Sequence, residues 1–217
     1  MTAPVDITAL VLAGGQGSRM GGVDKGLQPF RGQPLVAWAI QNVRPQVRSV
    51  LVNANRNLAD YAALGDGVVT DANKDFFGPL AGMAAGLGAC TTEWMVILPC
   101  DSPYLPPDWV QRLWAAATKA QTPAAMVCAP ERLATSGDAP LNEPLPLRRQ
   151  PVFCLLHRSL AAPLNQALAD GERKIDRWTA QHRCIDVPFA YSAAHPLHFV
   201  NINTLDELGA LEHPVTP

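Results

Sequence analysis

The sequence predicts an α/β protein built on a doubly wound, mainly parallel sheet with helices on both faces. Three observations carry that prediction. Apolar runs of strand length alternate with segments of helical spacing, the order that produces parallel sheets. The run Trp94-Met95-Val96-Ile97-Leu98 is apolar throughout, as a strand covered on both faces must be. Polar or glycine-rich stretches follow the apolar runs at 14–26, 53–57, 71–79 and 99–105, where a doubly wound sheet gathers its ligand-binding loops.

A first strand covers 7–13. Residues 27–34 read as a short strand and tight turn, and Pro34 suits the first turn of a helix over 35–43 that ends at Arg44-Pro45. A strand over 47–53 has Val50, Leu51 and Val52 at its centre and a polar patch (Asn53, Asn55, Arg56, Asn57) at its end. A short helix over 58–64 and a turn at Gly65-Asp66-Gly67 lead into a strand, 68–70, that runs into Asp71. Pro79 opens a helix whose small residues allow close packing on the sheet. After the strand 94–98, Pro107 or Asp108 begins a helix to about Lys119, with Trp109, Leu113 and Trp114 for its apolar face.

A strand over 124–129 follows. Residues 130–150 carry Pro130, Pro140, Pro144 and Pro146 with little periodicity, which reads as a long loop or irregular hairpin of a length associated with function. Then come a strand over 151–156, a helix over 160–170 ended by Gly171, a helix over 174–181, and short strands over 184–187 and 199–202. Thr204 caps a last helix, with Glu207 completing a capping box. The tail from His213 is expected to be disordered.

Bulk properties exclude several classes. A chain of 217 residues, 48% apolar, is expected to form one globular domain with a full core. A net charge of −2 argues against nucleic acid or anionic membrane as partner. No apolar stretch reaches the roughly 20 residues of a membrane span, and the first residues lack the basic region of a signal peptide. Five cysteines without a close Cys-x-x-Cys pair make neither a disulfide framework nor a zinc site. They read as buried thiols in a reducing cytoplasm. Cys100 stands beside Asp101 but has no histidine near it in sequence, so it is read as packing.

The first loop holds the most chemistry. The apolar run stops at Gly14-Gly15-Gln16-Gly17-Ser18-Arg19-Met20-Gly21-Gly22-Val23-Asp24-Lys25-Gly26. Glycines let main-chain N–H groups approach an anion and form nests, and Arg19 and Lys25 add charge that pairs with phosphate. Asp101, bounded by Pro99 and Pro103, is a rigidly aimed carboxylate of the kind that ligates magnesium together with nucleotide phosphates. Such a set fits phosphoryl or nucleotidyl transfer, where positioning and charge stabilisation carry catalysis.

None of these residues suffices singly. A glycine loop is as readily a tight turn, and Arg19 or Lys25 alone is an ordinary surface charge. Asp71 alone is a turn or cap residue, and Asp101 before Ser102-Pro103 is equally a turn initiator. No Gly-Lys-Ser/Thr ends the loop, so it is not a P-loop. Met20 stands where the dinucleotide fingerprint needs a third glycine or alanine. Joint occurrence at successive strand ends is what favours a site.

The run from Leu12 to Gly26 resembles the signature loop of molybdenum cofactor guanylyltransferases. Gly78-Pro79-Leu80-Ala81-Gly82, Pro99-Cys100-Asp101-Ser102-Pro103-Tyr104-Leu105-Pro106 and Asn201-Ile202-Asn203-Thr204 agree in the same order. The resemblance therefore covers nearly the whole chain and is weakest over 130–150. Many nucleotidyltransferases share the first loop in looser form; Asp24-Lys25-Gly26 and the Asn201 to Thr204 segment are the more specific parts.

That resemblance implies a Rossmann-like nucleotidyltransferase fold and a magnesium-dependent reaction. GMP passes from GTP to the molybdopterin cofactor, giving the guanine dinucleotide form and pyrophosphate. Carried over by position, Leu12, Ala13, Gly14 and Gly15 contact the nucleotide by main chain, while Asn53 and Asp71 also bind it. Lys25 neutralises phosphates, Arg19 touches phosphate, and Asp101 binds the nucleotide and ligates magnesium; catalysis falls to Lys25, Asp101 and Arg19. Asn201 and Asn203 fit the pterin side. Arg173 and Lys174, with Arg177 beside Trp178, suit an anionic pterin phosphate and equally suit a solvated helix face. The acceptor phosphate is ionised near neutral pH, so no strong general base is required, and His157, His182, His195, His198 and His213 all fall late in the chain.

On this reading one nucleotidyltransferase domain (1–217) divides into a nucleotide-binding half (1–110), a pterin-side half (111–212) with its long loop (130–150), and a tail (213–217). The long loop departs from the family and reads as a lid or as a docking surface for a transient partner that delivers the cofactor or matures a molybdoenzyme. Gln150-Pro151 stands where family members often carry a histidine before the proline. The alternatives are a CTP-dependent molybdopterin cytidylyltransferase, a sugar-phosphate nucleotidyltransferase, or a non-catalytic nucleotide- or cofactor-binding module. Ala13-Gly14-Gly15 argues against the first, since Ala-Ala-Gly is expected there. The second shares only the opening loop. Retention of both Lys25 and Asp101 argues against the third.

Overall fold

The chain runs through β1 (Val5–Leu12), a small hairpin of β2 (Pro29–Phe30) and β3 (Gln33–Pro34), α1 (Leu35–Val43), β4 (Val47–Asn53), α2 (Leu58–Ala62) and β5 (Gly67–Val69). It continues through α3 (Pro79–Ala89), β6 (Trp94–Pro99), α4 (Trp109–Ala120), β7 (Ala124–Pro130) and β8 (Leu147–His157). The last elements are α5 (Ala161–Ala169), α6 (Ile175–Thr179), β9 (Cys184–Pro188) and α7 (Leu205–Glu212). This is a computed structural model that describes residues 5–15, 23–72, 78–130, 146–190, 192, 194, 195 and 197–212. Arg19, most of the 130–150 segment and the tail lie outside the described residues.

Seven strands form one sheet in the order β5-β4-β1-β6-β8-β7-β9. All neighbours run parallel except at β8, which lies antiparallel to both β6 and β7. The period of two along β1 divides the core. Ile7, Ala9 and Val11 face α1 and α4 through Val36, Ile40, Trp109 and Leu113. Leu10 turns to the other face, where α3, α5 and α6 bring Leu80, Met83, Leu164, Ile175 and Trp178. Each such side chain contributes about 1.5–3 kcal/mol when fully buried, and the helices are held by these faces rather than by their caps. A smaller cluster of Phe30, Leu35, Ile202 and Leu208 fastens the hairpin and α7 to the main body.

Local chemistry sets the ends. Gly78 has φ +75°, a conformation that an L side chain resists, and Pro79 follows it at the start of α3. Gly171, at φ +90°, ends α5 while the Glu172 N–H reaches back to the Ala167 carbonyl. The expected capping box is present: Thr204 Oγ1 accepts from the Glu207 N–H at 3.1 Å, and Glu207 Oε2 accepts from the Thr204 N–H at 3.3 Å.

Two sequence expectations need correction. The strand expected at 151–156 begins at Leu147, because residues 147–149 pair with β7 alone and stay exposed, which hides them from a hydrophobicity reading. The strand expected at 199–202 is absent. Phe199 is left-handed (φ +62°), and the segment gives the N–H groups of Phe199 and Ile202 to the carbonyls of Tyr104 and Asp101 without forming a ladder. Its alternation of buried Val200 and Ile202 reflects one-sided packing of a strap, not a strand.

Candidate active site

Strand register builds the site. Leu12 stands opposite Asn53 on β4 and opposite Pro99 on β6, and Asn53 stands opposite Val69 on β5. Gly14, Asn55, Asp71 and Asp101 each lie two residues beyond that line, so they come abreast at the carboxyl edge. Four strands about 4.8 Å apart make a row of roughly 14 Å. The Ala13 N–H donates to the Asn53 carbonyl at 2.8 Å and the Cys100 N–H to the Leu12 carbonyl at 3.1 Å, which fixes the first step past each strand.

One end of the row is a carboxylate–amide group. Asp71 Oδ1 accepts from Asn53 Nδ2 and Asp71 Oδ2 from Asn55 Nδ2, both at 2.9 Å, while the Asp71 N–H donates to Asn55 Oδ1 at 2.9 Å. Asn53 is 3% exposed. It fits because Gly82 passes directly over it: a Cβ there would lie 2.8 Å from Asn53 Cγ and 3.0 Å from Leu12 Cδ2.

At the other end Lys25 Nζ donates to Asp101 Oδ2, and it lies 3.4 Å from Asn203 Oδ1. The Lys25 and Asp101 side chains are 21% and 14% exposed. Asp101 Oδ1 is buried and has no hydrogen-bond partner among the described residues. The strap completes this corner: the Ile202 N–H donates to the Asp101 carbonyl at 2.9 Å, and Ser102 Oγ donates to Asn201 Oδ1 at 2.6 Å. Burial first, and the Asp101 charge second, push the Cys100 thiol well above its ordinary range, which keeps it a neutral packing group.

A third group ties the ends of the glycine loop to the connection after β4. Asp24 Oδ1 accepts from the Tyr61 hydroxyl and Asp24 Oδ2 from Asn57 Nδ2 at 2.9 Å, with Arg56 Nε 3.4 Å from Oδ2. Arg56 Nη2 also reaches the carbonyls of Gly15 (3.3 Å) and Val23 (3.0 Å). Burial and the bond to Asp24 raise the Tyr61 hydroxyl far above its usual pKa, so it remains a donor. Gly26 leaves room for it, since a Cβ there would stand 3.3 Å from the Tyr61 ring and closer still to its oxygen.

Of the residues singled out by sequence, Leu12 to Gly15, Lys25, Asn53, Asp71, Asp101, Asn201 and Asn203 gather at this edge. Arg173, Lys174 and Arg177 gather around Glu172: its Oε1 accepts from the N–H groups of Arg173 (2.8 Å) and Lys174 (2.9 Å), and Arg177 Nε lies 3.6 Å from Oε2. Trp178 is fully buried in the core. The Arg173 carbonyl borders Gly78. Further along the carboxyl edge a cavity of about 210 Å³ is lined by Pro106, Arg112, Phe189, His195, His198 and Phe199, with the Arg112 guanidinium 3.8 Å over the Phe189 ring. Asn55 and Arg56 were visible in sequence only as a polar patch, and nothing in sequence marked Tyr61.

A doubly wound sheet with a glycine loop, an ion pair and a carboxylate–amide group in one row defines a class, the α/β nucleotide-phosphate enzymes. Comparison narrows it. Residues 9–185 match the MobA-like NTP transferase domain. Molybdenum cofactor guanylyltransferases of Acidovorax sp. (strain JS42) and Methylibium petroleiphilum are 50% and 52% identical to this chain, each match covering 95% of both sequences. The molybdopterin-guanine dinucleotide biosynthesis protein A of Archaeoglobus fulgidus superposes with a TM-score of 0.71 at 22% identity, covering 95% of this chain and 97% of that one. A 4-diphosphocytidyl-2C-methyl-D-erythritol synthase from Anaerococcus prevotii shares the fold at a TM-score of 0.68 and 11% identity, covering 97% and 96%. The chain belongs to the molybdenum cofactor guanylyltransferases, a family of nucleotidyltransferases.

Proposed function

We propose that this nucleotidyltransferase lays GTP along the row and transfers its GMP part to a molybdopterin phosphate, releasing pyrophosphate. The observation that carries the reading is the Lys25–Asp101 pair, which joins the first and fourth strand-end loops and leaves Asp101 Oδ1 buried without a partner among the described residues. A buried carboxylate oxygen so placed fits magnesium, which takes one or two carboxylates and completes its shell with phosphate oxygens and water. Bound at Asp101, magnesium supplies positive charge to the phosphates. Asp101 Oδ1 would hold the metal, and Lys25, released from Asp101 Oδ2, would offset the charge that grows on the leaving pyrophosphate. The acceptor's phosphate oxygen forms a bond to the α-phosphorus while the α–β bridging bond breaks, and no protein base is required.

The base lies at the other end. Asp71 uses two acceptor positions on Asn53 and Asn55, and an ionised carboxylate has about four. It can therefore also accept the adjacent N1–H and N2–H donors of guanine, a pair that cytosine lacks. The Gly14 main chain lies between base and phosphates, and the acceptor enters beside Asn201 and Asn203. The test is pyrophosphate release with molybdopterin, magnesium and either GTP or CTP. Turnover with GTP and little with CTP is the expected result, together with loss of that preference in Asp71→Asn. Equal turnover of the two nucleotides by the unaltered protein refutes the base assignment.

A further inference from the structure

Apart from the Arg56 bond to the Gly15 carbonyl, Asp24, Arg56 and Tyr61 touch none of the groups assigned above to the nucleotide, yet they converge on the two described ends of the glycine loop. Arg56 Nη2 reaches Gly15 O on the incoming side and Val23 O on the outgoing side. Asp24, one residue before Lys25, has a side chain only 8% exposed that takes donors from Tyr61 and Asn57, with Arg56 Nε alongside. Its own carbonyl accepts from Gln28 Nε2 at 3.0 Å and from the Leu27 N–H at 3.3 Å, which holds the turn that carries Lys25. The tripeptide thus divides its work: Asp24 anchors, Lys25 reaches Asp101, and Gly26 clears space for Tyr61.

Arg56, Asn57 and Tyr61 all come from the connection after β4, which also supplies Asn55 to the carboxylate–amide end, next to Asn53 at the end of the strand. We infer that Arg56, Asn57 and Tyr61, acting through Asp24, form a clasp that closes the neck of the phosphate loop and positions Lys25. Arg56, Asn57, Tyr61 and Asp24 are positioning residues for the phosphates and have no part in holding the base. This rests on the reading that the glycine loop and Lys25 take phosphate.

The test compares a ligand with phosphates to one without. Guanosine and magnesium GTP are titrated calorimetrically into the intact protein, Tyr61→Phe, Asn57→Ala and Arg56→Ala, with thermal melts run alongside. Tyr61 is fully buried and cannot touch a nucleotide, so any effect it has on GTP passes through Asp24. Asn57 is exposed, so its truncation keeps the test open should another variant fail to fold. GTP affinity should fall by about three- to tenfold in Tyr61→Phe and Asn57→Ala and by about tenfold or more in Arg56→Ala, reflecting lost hydrogen bonds to a charged group. Guanosine affinity should stay within about twofold in all three. Unchanged GTP affinity in Tyr61→Phe and Asn57→Ala overturns the clasp, as does a parallel fall for guanosine. Cytidine and CTP form a separate arm: if the intact protein binds them as well as the guanine pair, the base assignment fails while the nucleoside–nucleotide comparison still judges the clasp.

Discussion

Replacing Gly82 by alanine adds one methyl at the most crowded point of the edge. The new carbon would sit 2.8 Å from Asn53 Cγ, nearer still to its Oδ1, and 3.0 Å from Leu12 Cδ2. Neither neighbour can retreat, for Leu12 ends β1 and Asn53 is buried and bonded to Asp71 and to the Val69 carbonyl. Overpacking of this kind costs about 1–3 kcal/mol. Displacing Asn53 weakens two hydrogen bonds worth about 1 kcal/mol each, and the better helix propensity of alanine returns about 1 kcal/mol. The balance is a loss of about 1–3 kcal/mol, or a drop of roughly 3–10 °C in melting temperature for a chain of this size. Gly88 lies on the same helix with nothing within 4 Å of its Cβ position, so Gly88→Ala isolates the propensity gain. Thermal melts and GTP titrations of the two variants are the assay: Gly82→Ala should melt lower and bind GTP more weakly, and Gly88→Ala should do neither. Identical melts with unchanged GTP affinity in Gly82→Ala would refute the reasoning.

Other outcomes follow from the same geometry. Lys25→Ala and Asp101→Ala should fold and lose about 10²–10³ in turnover, Lys25→Ala with the larger loss of GTP affinity; steady-state kinetics and titration check both. Asp66 accepts from the Val50 N–H at 2.7 Å and pairs with Arg44, and the Arg44 bond, then the backbone bond, hold its carboxyl below the ordinary range. Its contribution to stability is therefore present above about pH 4, the unfolded value. It is lost as pH falls through the lower folded value, and Asp66→Asn should flatten the acid limb of a melt-versus-pH series. Burial pushes Cys184 up to about 11 and raises Cys100 and Cys154 further from reactivity, so these three thiols should resist a thiol reagent at pH 8 until the protein is denatured.

Much of this architecture was readable because apolar period and turn chemistry agree over most of the chain. The strand at 47–53 and the helix at 35–43 appear with those bounds, since Val50 and Val52 or Val36, Ile40 and Val43 bury where their spacing says they should. Reading failed where tertiary pairing overrides local pattern. Arg148 and Arg149 look like loop residues because β8 at that end meets only β7, and Arg149 reaches Asp186 on β9 at 2.9 Å. Val200 and Ile202 look like a strand because the strap packs on one side. At the site, individual residues such as Lys25 and Asp101 were legible from type and position. Their pairing was not, because it depends on strand register across 76 positions of sequence. Asp24 was visible within its tripeptide, but Tyr61 gives its hydroxyl from a helix whose other residues are exposed, and only the fold brings the two together.

The antiparallel course of β8 has a consequence for how such an enzyme can change over evolutionary time. A parallel neighbour would require the chain to cross back to the far edge before re-entering the sheet. Because β8 reverses instead, with Leu147 directly opposite Pro130, the connection from β7 leaves and returns at the carboxyl edge, where the row of site residues stands. Extra residues inserted there need not lengthen a crossover or disturb a buried strand, and longer loops cost little in closure entropy. The fold thus leaves one stretch free to diversify next to the chemistry, while the four strands that align Gly14, Asn55, Asp71 and Asp101 tolerate no change of register at all.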